Sequence, residues 1–132
     1  MKLVFLDANV LFSAAYREKS GLLRLWNLPG VKLITSAYAA REAIVNLAED
    51  AQRQRLESLM LDVTVETSAA LPPLPDGVRL PPKDQPILQA AMSAQANVLL
   101  PGDTTHFGAY YGKSIGGVKV MTPASFVREM ES

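Results

Sequence analysis

The 132-residue chain contains no cysteine. Disulfides, thiolate zinc sites and cysteine nucleophiles are therefore excluded, and the absence suits a reducing compartment. Histidine occurs once, at His106, so a Ser-His-Asp triad would have to use it, and no GxSxG elbow accompanies it. Packing beside Phe107 is the expected role of that imidazole. Net charge is missing too: 13 Lys and Arg balance 13 Asp and Glu, so no global basicity advertises nucleic acid. No apolar stretch approaches the length of a membrane span. The opening MKLVFL is interrupted by Asp7 and Asn9 before it reaches the length of a signal-peptide core. The chain is read as cytoplasmic. Neither a Walker A loop nor GxGxxG is present, so nucleotide-cofactor chemistry has no support.

What is present is ordinary for a globular protein: 48% hydrophobic and 20% charged residues. The length suits one domain over 1–132 with a real core. LVFL reads as a strand buried on both faces, because it is apolar throughout rather than alternating. VKLIT, DVTVET, NVLLPGD and GVKVM supply four more strand signals. VLFSAAY and SGLLRLWNL read as helical, with Ser20 as a cap and Pro29–Gly30 as a stop. One helix is expected over SAYAAREAIVNLAED, capped by Ser36, and another over AQRQRLESLML. ALPPLPDGVRLPPKD holds five of the nine prolines and reads as an extended connection. Helices over DQPILQAAMSAQA and PASFVREM follow, with Pro86 and Pro123 in their first turns. Strands alternating with helices predict an α/β fold, a five-stranded parallel sheet in a three-layer α/β/α sandwich.

In such sheets ligands collect at the carboxyl ends of the strands. Asp7 stands at that end of the first strand and Asp103 follows the fourth. Asp84 opens a helix, where backbone N–H groups favour a carboxylate. Glu42 lies mid-helix, one turn from Tyr38 and Val45. Each has a plain reading on its own: Asp84 as an N-cap, Glu42 as a solvated residue, Asp103 as a turn aspartate. Asp7 resists such a reading, because a carboxylate directly after a buried strand is costly unless something binds it. Taken together, two strand ends and two helices bring four acids to one sheet edge. Converging carboxylates repel unless a cation neutralises them, and oxygen ligands without sulfur fit Mg²⁺ or Mn²⁺. One or two ions are expected, roughly 4 Å apart if paired, able to activate water against a phosphodiester. With the four acids gathered there, basic residues outnumber the remaining acids by four.

LDANVLFSA, Glu42 in AAREAIVNL, KDQPILQAA, LLPGDTTHF and VKVMTPASFV together resemble the PIN-domain nucleases. The likeness is to stand-alone prokaryotic PIN proteins regarded as toxins of toxin–antitoxin pairs, and it runs along essentially the whole chain in family order. It implies metal-dependent ribonuclease activity with Asp7, Glu42, Asp84 and Asp103 as both catalytic and metal-binding residues. It also implies supporting roles for Asn9, beside Asp7, and Ser36, at a strand-to-helix turn. RNA as substrate, a small antitoxin as partner and a homodimer belong to the same expectation. Two positions depart from the family pattern: Pro101 where many relatives carry Thr, and Thr104 where they carry a basic residue. Arg17, Lys19, Arg24, Arg53 and Arg55 read as solvated faces, or alternatively as RNA phosphate contacts beside the site. Trp26 with Leu22, Leu23 and Leu25 reads as core or dimer contact. Two other functions stay open at this point. One is a degenerate PIN module that binds RNA or protein without cutting. The other is an unrelated Mg²⁺-dependent phosphatase-like domain using Lys113 or Lys119.

Overall fold

A computed structural model of the chain describes residues 1–67, 70–102 and 104–132. Its centre is β1 (Lys2–Leu6), where Val4, Phe5 and Leu6 are fully buried. Such a strand can only be covered on both faces, and the topology supplies the cover. β2 (Val31–Ser36) and β3 (Val63–Glu66) extend the sheet on one side of β1. On the other side lie β4 (Val98–Leu100), β6 (Val118–Val120) and the two-residue β5 (Ser114–Ile115). The order is β3-β2-β1-β4-β6-β5. Five strands are parallel, as the alternation of elements predicts, and β5 alone is antiparallel.

The sheet therefore has six strands rather than the expected five. β5 and β6 form a hairpin across Gly116 and Gly117, with φ of +57° and +86°. Positive φ at both central positions belongs to the turn that matches strand twist in a two-residue hairpin. The Gly-Gly pair was its visible signal.

The helices are α1 (Ala8–Tyr16), α2 (Ala37–Asn46), α3 (Asp50–Met60), α4 (Gln85–Ser93), α5 (Thr104–Phe107) and α6 (Pro123–Glu131). α1 packs on α2 and α3, while α4 lies over β2 and β4. Connections between parallel strands are right-handed almost without exception. Since the chain steps one way from β1 to β3 and the other way from β3 to β4, the α4 crossover falls on the face opposite the one that α1 and α2 cover.

Three local expectations are corrected. SGLLRLWNL is not an α-helix but a 3₁₀ stretch over Gly21–Asn27, capped by Ser20 Oγ, which accepts from Leu22 N at 3.2 Å. Leu22, Leu25 and Leu28 recur every three residues, the period of that tighter helix, and turn one face to the core. The helix expected over 36–50 stops at Asn46. Glu49 then starts α3 with a capping box, its N–H donating to Gln52 Oε1 at 3.1 Å. The short α5 was not anticipated; its Phe107 is fully buried.

The proline-rich connection is extended as expected where described, and it is pinned. Gln89 Nε2 donates to Pro72 O at 2.9 Å and Gln85 Nε2 to Leu80 O at 3.0 Å. Among the described residues no helix is long and apolar enough to cross a membrane.

Candidate functional site

β1 and β4 are neighbours from which the chain departs in opposite directions. That reversal opens a crevice beyond their carboxyl ends, where ligands of open α/β sheets bind. Asp7 stands at its mouth. The residue is 3% exposed, its N–H donates to Leu100 O at 3.2 Å, and its Oδ1 accepts from Ala8 N at 2.6 Å. Asp7 is thus also the N-cap of α1, and the helix dipole there favours its ionised form.

Neighbouring elements fix this strand end. Thr35, fully buried on β2, donates its hydroxyl to Leu6 O at 2.7 Å, one residue before Asp7. Ser36 caps α2, its Oγ accepting from Ala39 N at 3.1 Å, as its position in the sequence predicts. On the β4 side, Gly102 has φ +69°, and a Cβ built on it would lie 2.9 Å from Val10 Cγ2 and 3.4 Å from Asn9 Cβ. The turn leaving β4 therefore presses on the first turn of α1, which only glycine permits. Asn9 is exposed at this contact. Asp103, the next residue, lies outside the described residues.

Asp84 is buried at the start of α4. The expectation that it serves as an N-cap is met by position and not by bonding: its side chain makes no cap hydrogen bond. Instead Asp84 Oδ2 lies 2.8 Å from His106 Nδ1. His106 thus faces an acid, where packing beside Phe107 was expected. α5 brings it there, and no local pattern in the sequence announces that approach.

Glu42 is half-buried on α2, one turn after Tyr38. Tyr38 ties the arrangement together. Its hydroxyl donates to Lys83 O at 2.9 Å, joining α2 to the turn before Asp84. The phenol is pushed above the usual tyrosine range, first by desolvation and then by the charges of Glu42, Asp84 and Asp7. Three carboxylates from β1, α2 and the start of α4 thus act on one hydroxyl. Sequence reasoning passed over both Tyr38 and Thr35; an aromatic four residues before an acid on one helix face was the available signal for Tyr38. Among the described residues, no three His, Cys, Asp or Glu side chains are grouped closely enough to hold a metal ion by themselves.

The basic residues go elsewhere. α1 runs away from Asp7, so Arg17 lies ten residues on, about 15 Å along the helix axis at ~1.5 Å per residue. Arg55 Nε donates to Ala15 O at 3.0 Å, and its terminal nitrogen to Tyr16 O at 3.1 Å, completing the end of α1. Arg24 clasps Glu131 at 2.6 and 2.8 Å, and Arg53 pairs with Asp50 at 3.2 Å. Arg17 and Lys19 are exposed. Of this set, Arg17 and Arg24 border a groove of about 780 Å³ lined by Phe12, Tyr16, Leu22 and Val127, together with Arg128. Trp26, half-buried, packs on the core and donates its indole N–H to Leu59 O at 3.0 Å. No protein-family model matches the chain, and comparison with curated proteins finds no significant relative.

Proposed function

We propose that the chain is a metal-dependent ribonuclease of the PIN type, with Asp7, Glu42, Asp84 and Asp103 as its acidic residues. One observation carries the reading: Asp7, at the carboxyl end of β1 beside β4, and Asp84, at the start of α4, are buried carboxylates from distant parts of the sequence, and with Glu42 they act on Tyr38 in addition to its desolvation. Their donor chemistry, carboxylate oxygens without sulfur, suits Mg²⁺ or Mn²⁺. The three described acids do not enclose an ion unaided, so the reading requires Asp103 to complete the set. A bound divalent cation would supply an activated water and stabilise charge on a phosphodiester.

Within that reading the protein's own groups have separate tasks. Thr35 and the α1 N-terminus hold Asp7 at the strand end. His106 orients Asp84, and Tyr38 fixes α2 against the turn that carries it. Ser36 sets the start of α2 and hence the position of Glu42. RNA as substrate, a homodimer and a small antitoxin that blocks the site are parts of the same proposal.

RNA cleavage with Mn²⁺ or Mg²⁺ tests it, comparing wild type with Asp7→Asn purified identically and adding an EDTA control. Cutting confined to wild type and stopped by EDTA supports the reading. Equal cutting by both proteins would mean that Asp7 is not in the site. A second reading, a PIN module that binds RNA without cutting, is favoured by the 2.8 Å approach of His106 to Asp84, which engages one of the carboxylates. Retained RNA binding with no cleavage by either protein would favour it.

A further inference from the structure

Beside the acids lies a second cavity, of about 360 Å³, within the range of small-ligand sites. Its walls are brought together by the fold. The β2–α2 junction contributes Ser36 and Tyr38, the end of β3 contributes Glu66, the connection after it Thr67 and Leu71, and α4 contributes Pro86 and Ala90. Ser36 and Glu66 are register partners on adjacent strands, so their backbones stand one strand spacing, ~4.8 Å, apart. Ala90 on α4, and Ala94 just beyond it, leave the space open where a larger residue would fill it. Tyr38 is the shared wall between this cavity and the carboxylates. The residue is 42% exposed, and its hydroxyl is already anchored on Lys83 O.

We propose that this cavity is a guanine-binding subsite, in which the base stacks on Tyr38 and its Watson–Crick edge meets Glu66; the inference deepens the ribonuclease reading and rests on it. An exposed aromatic face held in place by its own hydrogen bond is a preorganised stacking surface for a base. Glu66 offers two acceptor oxygens. Guanine alone among the four RNA bases presents two adjacent donors on one edge, N1–H and the N2 amino group, and so can engage both oxygens at once. Adenine and cytosine offer a single exocyclic amino group there, and uracil a single N–H. Tyr38 feels the charges of Glu42, Asp84 and Asp7, so a base stacked on it lies next to those acids. The subsite would then select the nucleotide flanking the cut. The chemistry is the same for a guanine in RNA and for a free guanine nucleotide, so both are tested.

The full chain and each variant are titrated in EDTA with the 5′-monophosphates of guanosine, adenosine, cytidine and uridine by calorimetry, the Tyr38 ring resonances being followed as well in the proteins that keep that residue. In parallel, RNAs that differ only at the nucleotide beside the cut are digested with Mn²⁺. GMP is expected to bind about tenfold more tightly than the other three, and guanine-flanked RNA to be cut correspondingly faster. Glu66→Gln should level the four affinities, and Tyr38→Ala should weaken all of them roughly tenfold. Far-ultraviolet dichroism confirms that each variant is folded. Asp7-dependent cutting without base preference, together with no GMP binding, overturns the subsite and leaves the ribonuclease reading standing. Selective GMP binding with no RNA cut supports the subsite and removes the ribonuclease reading. A Tyr38→Ala protein that loses self-association while the affinity of the four nucleotides stays level overturns the subsite and assigns the face to a second copy of the chain.

Discussion

The two ends of the parallel sheet treat charge in opposite ways. Near the carboxyl ends of the strands, acids from separate elements act on one tyrosine. Asp7 and Asp84 are buried, and burial first, then the charges of Glu42, Asp84 and Asp7, raises the pKa of its phenol. At the far end of α1, charged groups are directed to structural partners. Arg55 binds the last carbonyls of α1, Arg24 clasps Glu131, and Arg53 pairs with Asp50. Proximity of like charges is unfavourable to stability and is retained where a ligand can relieve it. Arginine bound to helix-end carbonyls needs no ligand. The contrast explains why the acids remain the candidate site while the arginines, equally conspicuous in sequence, do not.

The comparison can be broken most decisively at Asp7. Asp7→Asn should reduce RNA cleavage by at least about a hundredfold, because the change removes a charge and leaves the side chain's size intact. Its stability in denaturant titration should fall by no more than the loss of a cap, ~0.5–2 kcal/mol. A stability loss without an activity loss would turn Asp7 into a cap and nothing more.

Gly102→Ala attacks the same end through the backbone. The new Cβ meets Val10 at 2.9 Å with φ held at +69°, so a destabilisation of about 1–3 kcal/mol is expected in denaturant titration. Cleavage should fall more than stability does, since the strain lies at the turn leading to Asp103.

At the opposite end Arg55→Ala should cost about 1 kcal/mol of stability, through two hydrogen bonds from a charged group that is partly exposed. Its RNA affinity should keep the wild-type salt dependence. A reduced salt slope would return Arg55 to phosphate binding. Arg24→Ala should cost less, under ~1 kcal/mol, because both partners of its ion pair are well exposed.

The electrostatic half of the comparison is sharpened by Tyr38. Ultraviolet titration of the four tyrosines should show Tyr38 ionising above the usual value of ~10. The folded state holds this proton more tightly than the unfolded chain. Stability linked to Tyr38 is therefore complete below about pH 10 and is lost as pH rises through the raised value. Glu42→Gln should bring the titration part of the way back, and Mn²⁺ should lower it if an ion binds among the acids.

Much of this was legible in the chain itself, for reasons that can be stated residue by residue. Unbroken LVFL dictates a strand buried on both faces, and β1 is that strand. Ser20, Ser36, Pro86 and Pro123 mark helix starts because their backbone chemistry is local. Strand–helix alternation forces a parallel sheet, and a parallel sheet places Asp7 at a strand's carboxyl end. β5 was missed although Gly116–Gly117 announced it. The 3₁₀ stretch was missed because its apolar spacing of three was taken for an α-helical face.

Other features had no local signature. Which side of β1 receives β4 depends on crossover direction, and only that choice lets Asp84, Asp7 and Glu42 act on the same tyrosine. The approach of His106 to Asp84, the hold of Tyr38 on Lys83 O and the hydrogen bond from Thr35 to Leu6 O all join residues distant in sequence. Each is set by strand register and helix packing rather than by periodicity. The course of α1 likewise carried Arg17 away from the acids, a consequence of helix rise that composition does not contain. The sequence by itself determined which residues are strand, helix and buried carboxylate, because those follow from neighbours a few positions apart. Only the tertiary structure decided which charges meet, because that follows from how the sheet is ordered and how the helices cross it.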